Sequence, residues 1–190
     1  MKSNIVIFGG DSILAQNFIN KYKSSNNIIT VSRKHNNKAF ITCNLGEIMF
    51  PNQIEEIASN IFKKLYYQNT VFILFSWYGG PRNKNDQDIY VKNINIISNF
   101  SNICKKLAPK KIIFLSSAGS IYPQNLENYN FNEEDNPSPI TTYGKLKFLA
   151  ERLISLFSEV HKIDCTILRI SSAYGYDKRF SDQGVINKWL

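Results

Sequence analysis

The residues that staple or metallate small proteins are scarce in this 190-residue chain, which has three cysteines and two histidines. Cys43, Cys104 and Cys165 are odd in number, far apart and set among apolar neighbours, with no CxxC pair. That pattern excludes a disulfide framework and predicts three buried, reduced thiols. His35 and His161 are distant in sequence, which argues against a histidine-based metal centre, so no metal site is expected. No apolar run approaches the ~20 residues that span a bilayer. The stretch Ile5-Val6-Ile7-Phe8 is too short for the core of a signal peptide. These absences predict a cytoplasmic protein with no membrane partner. Acidic residues are outnumbered 15 to 23, a formal charge of +8. No run of five basic residues and no RNP-like or helix-turn-helix pattern accompanies that excess, so nucleic acid is not an expected partner. Lysines spread over exposed helix faces, with a general attraction for small anions, account for the charge.

Hydrophobic residues make up 43% of the chain, aromatics 13% and charged residues 20%, which excludes a disordered polymer. A domain of this size buries roughly 70% of its unfolded surface and needs no cross-links. Short β-branched runs alternate with helical patterns. The runs are 4–8, 28–32, 39–42, 71–76, 111–115 and 165–169. Helices are expected from near Ser12 toward Lys23, around Ile54, Ile57, Ile61, Phe62 and Leu65, over about 86–107 and over about 141–161. The Asn-, Glu- and Pro-containing stretch 124–139 reads as a long loop of the kind that carries function. Six strands with helical crossovers predict an α/β doubly wound parallel (Rossmann) sheet of order 3-2-1-4-5-6, with its ligand crevice at the strands' carboxyl ends.

The first strand runs into Phe8-Gly9-Gly10-Asp11-Ser12-Ile13-Leu14-Ala15. A glycine-rich turn at this place offers backbone N–H groups and a helix's positive end to a pyrophosphate. The spacing G-x-x-G-x-x-G falls on Gly9, Ser12 and Ala15, with only the first glycine kept. Gly9, Ser12 and Ile13 are the candidate phosphate contacts. The second strand ends in Ser32-Arg33, where a site for NAD would carry an acid for the ribose 2′-hydroxyl. Ser32 and Arg33 suit a 2′-phosphate instead, so NADP is favoured with NAD as the alternative. Asn44, after the third strand, stands where a side-chain amide could read adenine.

Tyr143 and Lys147 are spaced i, i+4 and share one helix face. A phenol with a pKa near ~10 is a poor acid–base at neutral pH unless a cation stabilises its phenolate, and Lys147 can supply that charge. Upstream, Ser116, Ser117 and Ser120 bring hydroxyls to the carboxyl end of a strand, within reach of a substrate oxygen.

Taken in order, Gly9-Gly10, Asn93 in Val91-Lys92-Asn93-Ile94, Ser116-Ser117 through Tyr122, Tyr143 to Lys147, and Leu168-Arg169 through Tyr174-Gly175 resemble the extended short-chain dehydrogenase/reductases. These are the NAD(P)-dependent sugar epimerase/dehydratase family. The resemblance implies Tyr143 as acid–base, Lys147 as ribose-binding and pKa-lowering residue, and Ser117 as partner of the reacting oxygen. It adds Ser76 and Asn93 to the cofactor's surroundings. It also implies a nucleotide-sugar substrate and a homodimer through the helices at 86–107 and 141–161. Residues 1–170 would form the dinucleotide-binding domain and 171–190 the start of a truncated substrate-binding lobe. The chain departs from the family at Ala118, where a Ser or Thr is usual, and at Ser172, where an Asn is frequent. It departs again at Phe75-Ser76-Trp77-Tyr78, where a small pair such as Ala-Ala is usual. Two functions stay open. One is an epimerase, dehydratase or reductase of a nucleotide sugar; the other is a catalytically silent NADP-binding sensor or partner-binding module.

Overall fold

A computed structural model describes residues 2–33, 41–65, 69–80, 87–123, 130–171 and 173. Its elements follow the alternation expected from sequence: β1 (Asn4–Phe8), α1 (Ile13–Tyr22), β2 (Asn27–Ser32), β3 (Ile41–Thr42), α2 (Pro51–Phe62), β4 (Thr70–Leu74), α3 (Gln87–Leu107), β5 (Lys111–Ser117), α4 (Ala118–Ile121), α5 (Thr142–His161) and β6 (Asp164–Ile170). The six strands form one sheet of order β3-β2-β1-β4-β5-β6, with every pair parallel. This is the doubly wound order predicted from the sequence, and its crevice opens where the chain reverses direction between β1 and β4. Residues 34–40, the loop positions 124–129, and the expected second lobe (172 and 174–190) lie outside the described residues.

Alternating strand residues face two unequal cores. Val6, Phe8, Val31, Phe72, Leu74, Ile112 and Phe114 meet α2, α3 and α5, where Phe100 packs edge-on to Phe8 at 5.0 Å. Ile5, Ile7 and Ile73 face α1 through Ala15 and Phe18. Two element ends differ from expectation for local reasons. The fourth strand stops at Leu74 rather than Ser76 because the N–H groups of Phe75 and Ser76 both donate to the Phe8 carbonyl, at 2.8 and 2.9 Å. That shared acceptor turns the chain across the mouth of the crevice. The fifth strand continues to Ser117, because Ser116 and Ser117 pair with Arg169 and Ile170 of β6. The thiols are all free, but Cys165 on edge strand β6 is only partly buried, in contrast to Cys43 and Cys104. Burial pushes the Cys43 thiol up to about 11. No described helix is long and apolar enough to cross a membrane.

Candidate active site

The phosphate turn is shaped by close approach. Gly9 has φ +89°, and a Cβ there would come within 2.5 Å of the Ser76 amide nitrogen. Only glycine fits a left-handed backbone pressed on the start of the β4–α3 loop. Gly10 packs on β2, where a Cβ would meet Thr30 at 2.8 Å and Ser32 Oγ at 3.1 Å. Its carbonyl accepts from the Gln16 side chain, which fixes the turn to α1. Ser12 caps α1: its hydroxyl oxygen accepts from the Ala15 N–H at 3.3 Å, and Ile13 is the first helical residue. The N–H groups of the helix's first turn lie at the crevice, together with the positive end of its dipole. Asp11 also lines the groove, an acid beside the turn that the sequence reading gave no role.

From that turn a groove of about 140 Å³ runs between Arg33, Asn44 and Gly46 on one side and Ser76, Trp77 and Tyr78 on the other. Several predicted contacts are already engaged by protein. Asn44 accepts at Oδ1 from the Tyr78 hydroxyl (2.8 Å) and the Gly46 N–H (3.2 Å), while its Nδ2 donates to Glu47. Asn93 accepts from the Tyr78 N–H at 2.9 Å and donates to the Tyr78 carbonyl at 3.0 Å, so it clamps the β4–α3 loop. Asn95 and Asn99 on the same helix donate to the carbonyls of Gly46, Leu45 and Glu47. A row of α3 asparagines therefore holds both walls of the groove. Ser32 is buried beneath Gly10 with a hydroxyl that has no partner among the described residues, while Arg33 is exposed and lies over the Tyr78 ring.

At the other end of the crevice, Thr141 caps α5 by accepting from the Gly144 N–H at 3.0 Å. The cap sets Tyr143 in the helix's first turn. Gly144 lets α5 sit on α4, since a Cβ there would come to 2.0 Å from the Ser120 carbonyl oxygen. Ser117, the last residue of β5, stands beside the Tyr143 phenol. Burial raises the phenol above its ordinary 10, and the Ser117 contact draws it part of the way back. Tyr143 is thus held as the protonated phenol. Ser120 is buried and contributes its backbone, so of the candidate hydroxyls Ser117 is the one that meets Tyr143.

Lys147 is 5% exposed. Its ammonium donates to the Leu115 carbonyl at 2.7 Å and faces the rings of Trp77 at 4.0 Å and Phe114 at 4.8 Å. Burial lowers its pKa from 10.5 to about 7, against the opposing charge of Glu151. Glu151, at i+4 from Lys147 and 4% exposed, forms a two-toothed pair with Arg169 of β6, with N···O distances of 2.9–3.3 Å. Arg169 also donates to the Tyr122 hydroxyl, which in turn donates to the Asn132 carbonyl at 2.9 Å. A continuous polar chain therefore runs from Glu151, one turn beyond Lys147, to the segment after α4. Sequence reasoning missed Glu151, although Tyr143, Lys147 and Glu151 are successive residues of one i, i+4, i+8 stripe. Among the described residues no group of three or more His, Cys, Asp or Glu could hold a metal ion.

A parallel doubly wound sheet with a glycine turn after β1, and a Tyr-x-x-x-Lys helix whose lysine lies against Trp77 of the groove wall, is the arrangement of a dinucleotide-binding (Rossmann) fold. The family profile described as the NAD dependent epimerase/dehydratase family matches residues 5–190, and the chain belongs to that family. A protein of Methanocaldococcus jannaschii described as a putative UDP-glucose 4-epimerase is 33% identical over 97 residues, which make up 50% of this chain and 31% of the relative. Among solved structures, the UDP-N-acetylglucosamine 4-epimerase of Methanobrevibacter ruminantium M1, in complex with UDP-N-acetylmuramic acid, superposes with a TM-score of 0.79 at 20% identity. That match covers 100% of this chain and 62% of the other. The UDP-glucose 4-epimerase of Brucella ovis, in complex with NAD, gives 0.73 at 18% identity over 92% of this chain and 54% of that one. The two structures share the fold, and this chain spans less than two thirds of their length.

Proposed function

We propose that the chain is the dinucleotide-binding and catalytic part of an NADP-dependent enzyme of the epimerase, dehydratase or reductase type that acts on a nucleotide sugar. The observation that carries the reading is the placement of Tyr143 beside Ser117 at the carboxyl end of β5, with Lys147 one turn along the same helix and its ammonium 5.9 Å from the Tyr143 ring. The turn at Gly9, where any side chain would close the approach, fits a pyrophosphate at the start of α1, held by the Ile13 N–H and the Ser12 hydroxyl, while the Ser12 N–H donates to the Gly9 carbonyl at 3.1 Å. Arg33 would take a 2′-phosphate, Ser76 and Tyr78 would line the adenosine end, and Lys147 would hold the nicotinamide ribose. Asn93 would act through Tyr78, whose backbone it grips. When bound, the nicotinamide supplies the two-electron carrier. Tyr143 moves the proton: as the phenol it donates to a developing alkoxide, with Ser117 bonded to the same oxygen. In the reverse direction the phenolate accepts, and the Lys147 charge lowers the cost of forming it. The relatives' descriptions as UDP-sugar 4-epimerases support a nucleotide sugar as substrate. Leu153, Leu156 and Val160, exposed on α5, support a homodimer built on α3 and α5.

The test is turnover of a panel of nucleotide sugars with NADP or NAD, comparing the native chain with Tyr143→Phe. The reading expects at least a hundredfold loss in kcat with NADPH binding retained. Unchanged turnover in the variant would remove Tyr143 from the chemistry.

One observation favours the second reading, a silent NADP-binding module. Lys147 is closed in by Trp77 and Phe114 and bonded to Leu115, while Ala118 offers no hydroxyl. NADPH binding without turnover of any nucleotide sugar by the native chain would select it.

A further inference from the structure

Tyr78 is anchored more firmly than a groove-lining aromatic requires. Its backbone N–H and carbonyl are both taken by Asn93, at 2.9 and 3.0 Å. Its hydroxyl donates to Asn44 at 2.8 Å, and its ring lies so close over Gly46 that a Cβ there would approach Cε2 to 2.4 Å. The ring therefore has a fixed position at the adenosine end of the groove. Two cations converge on it. The Arg33 guanidinium carbon lies 4.5 Å from the ring centroid and the Lys92 ammonium 5.3 Å, both within cation–π range. They come from separate elements, the residue just past β2 and the second turn of α3. Among the described residues Lys92 has one acidic contact, a 3.9 Å approach to the highly exposed Asp88.

An arginine at the rim of a groove loses most of its rotamer freedom when it grips a phosphate, and this entropy cost weakens the contact. A guanidinium already laid on a rigid aromatic face has lost that freedom beforehand, and its planar fork remains free to bind in two-toothed fashion. A second positive charge beside it suits a group carrying two negative charges.

We propose that Tyr78 is a specificity-determining positioning residue: its clamped ring holds Arg33, with Lys92 alongside, as a receptor for a phosphate on the adenosine ribose. The groove then prefers a 2′-phosphorylated dinucleotide. This rests on the reading of the groove as a dinucleotide site and deepens it by naming what selects the ligand.

Calorimetric titration with adenosine 2′,5′-bisphosphate and with 5′-AMP isolates the 2′-phosphate, because neither ligand reaches the Tyr143–Lys147 end. The native chain should bind the bisphosphate at least tenfold more tightly. Tyr78→Leu should reduce that ratio to about twofold, whereas Tyr78→Phe, which keeps the ring, should preserve it. Arg33→Lys leaves Tyr78 untouched and the charge in place but removes the stacked plane, and should lower the ratio toward the Tyr78→Leu value. A purely structural role for Tyr78 would weaken both ligands equally and leave the ratio unchanged. That outcome, or an undiminished ratio in Arg33→Lys, overturns the proposal while leaving an NADP-selective groove in place. Equal binding of the two ligands by the native chain overturns the NADP reading itself, and the proposal with it.

Discussion

Replacing Lys147 by methionine removes a titratable amine from a buried position, and the consequence is readable as a pH dependence of stability. Burial moves the lysine from 10.5 in the open chain to about 7 in the fold. Between those values the unfolded state holds a proton that the folded state releases. Stability therefore rises with pH across this window: the loss is complete below about pH 7 and relieved as pH approaches 10.5. At pH 7.5 the native chain forgoes about 4 kcal/mol on this account, and about 2 kcal/mol of that returns by pH 9. Methionine fills a similar volume without the titration. The lost hydrogen bond to the Leu115 carbonyl is a fixed cost that does not vary with pH. The gap in unfolding free energy, variant minus native, should therefore shrink by about 2 kcal/mol from pH 7.5 to 9. Urea titrations of both proteins in reducing buffer measure it, and the raised thiols of Cys43 and Cys104, common to both, cancel in the difference. A gap constant to within about 0.5 kcal/mol would mean that Lys147 keeps its proton in the fold, which would refute the account in which burial strips the amine of its charge.

Gly144→Ala drives a Cβ into the Ser120 carbonyl and should cost about 1–3 kcal/mol, a fall in melting temperature of roughly 2–4 °C per kcal/mol. Gly119→Ala, with nothing within 4 Å of the new Cβ, should leave the melting temperature unchanged or raise it. Calorimetric scans that show equal effects would contradict the packing of α5 on α4. Glu151→Gln leaves Arg169 and Lys147 without their carboxylate and should destabilise by about 3 kcal/mol in denaturant titration. A loss under about 1 kcal/mol would show that the pair is solvated.

The sheet was legible because parallel strands buried on both faces read as short β-branched runs, and its order follows from right-handed crossovers between them. Apolar spacing marks only the buried face of a helix, so α2 was anticipated from Ile54. It begins at Pro51, where the Gln53 side chain accepts from the Phe50 N–H. The four-residue α4 carries too little periodicity to be seen in the sequence. In the site, Tyr143 and Lys147 were legible because helical spacing alone puts them on one face. The commitments of Asn44 and Asn93 to Tyr78 were not, since they join positions that only the fold brings together. Whether Ser117 or Ser120 met the tyrosine also depended on how α5 docks, which Gly144 decides.

Trp77 lines the groove and lies 4.0 Å from the Lys147 ammonium, so it can report directly on a dinucleotide bound across the sheet. The chain has one other tryptophan, Trp189. In a Trp189→Phe background, NADPH titrated into the protein should quench the Trp77 emission and acquire sensitised emission of its own, both lost on Gly9→Ala. Sensitised emission that is absent at saturating NADPH, or that survives Gly9→Ala unchanged, would contradict a dinucleotide held between the Gly9 turn and Lys147.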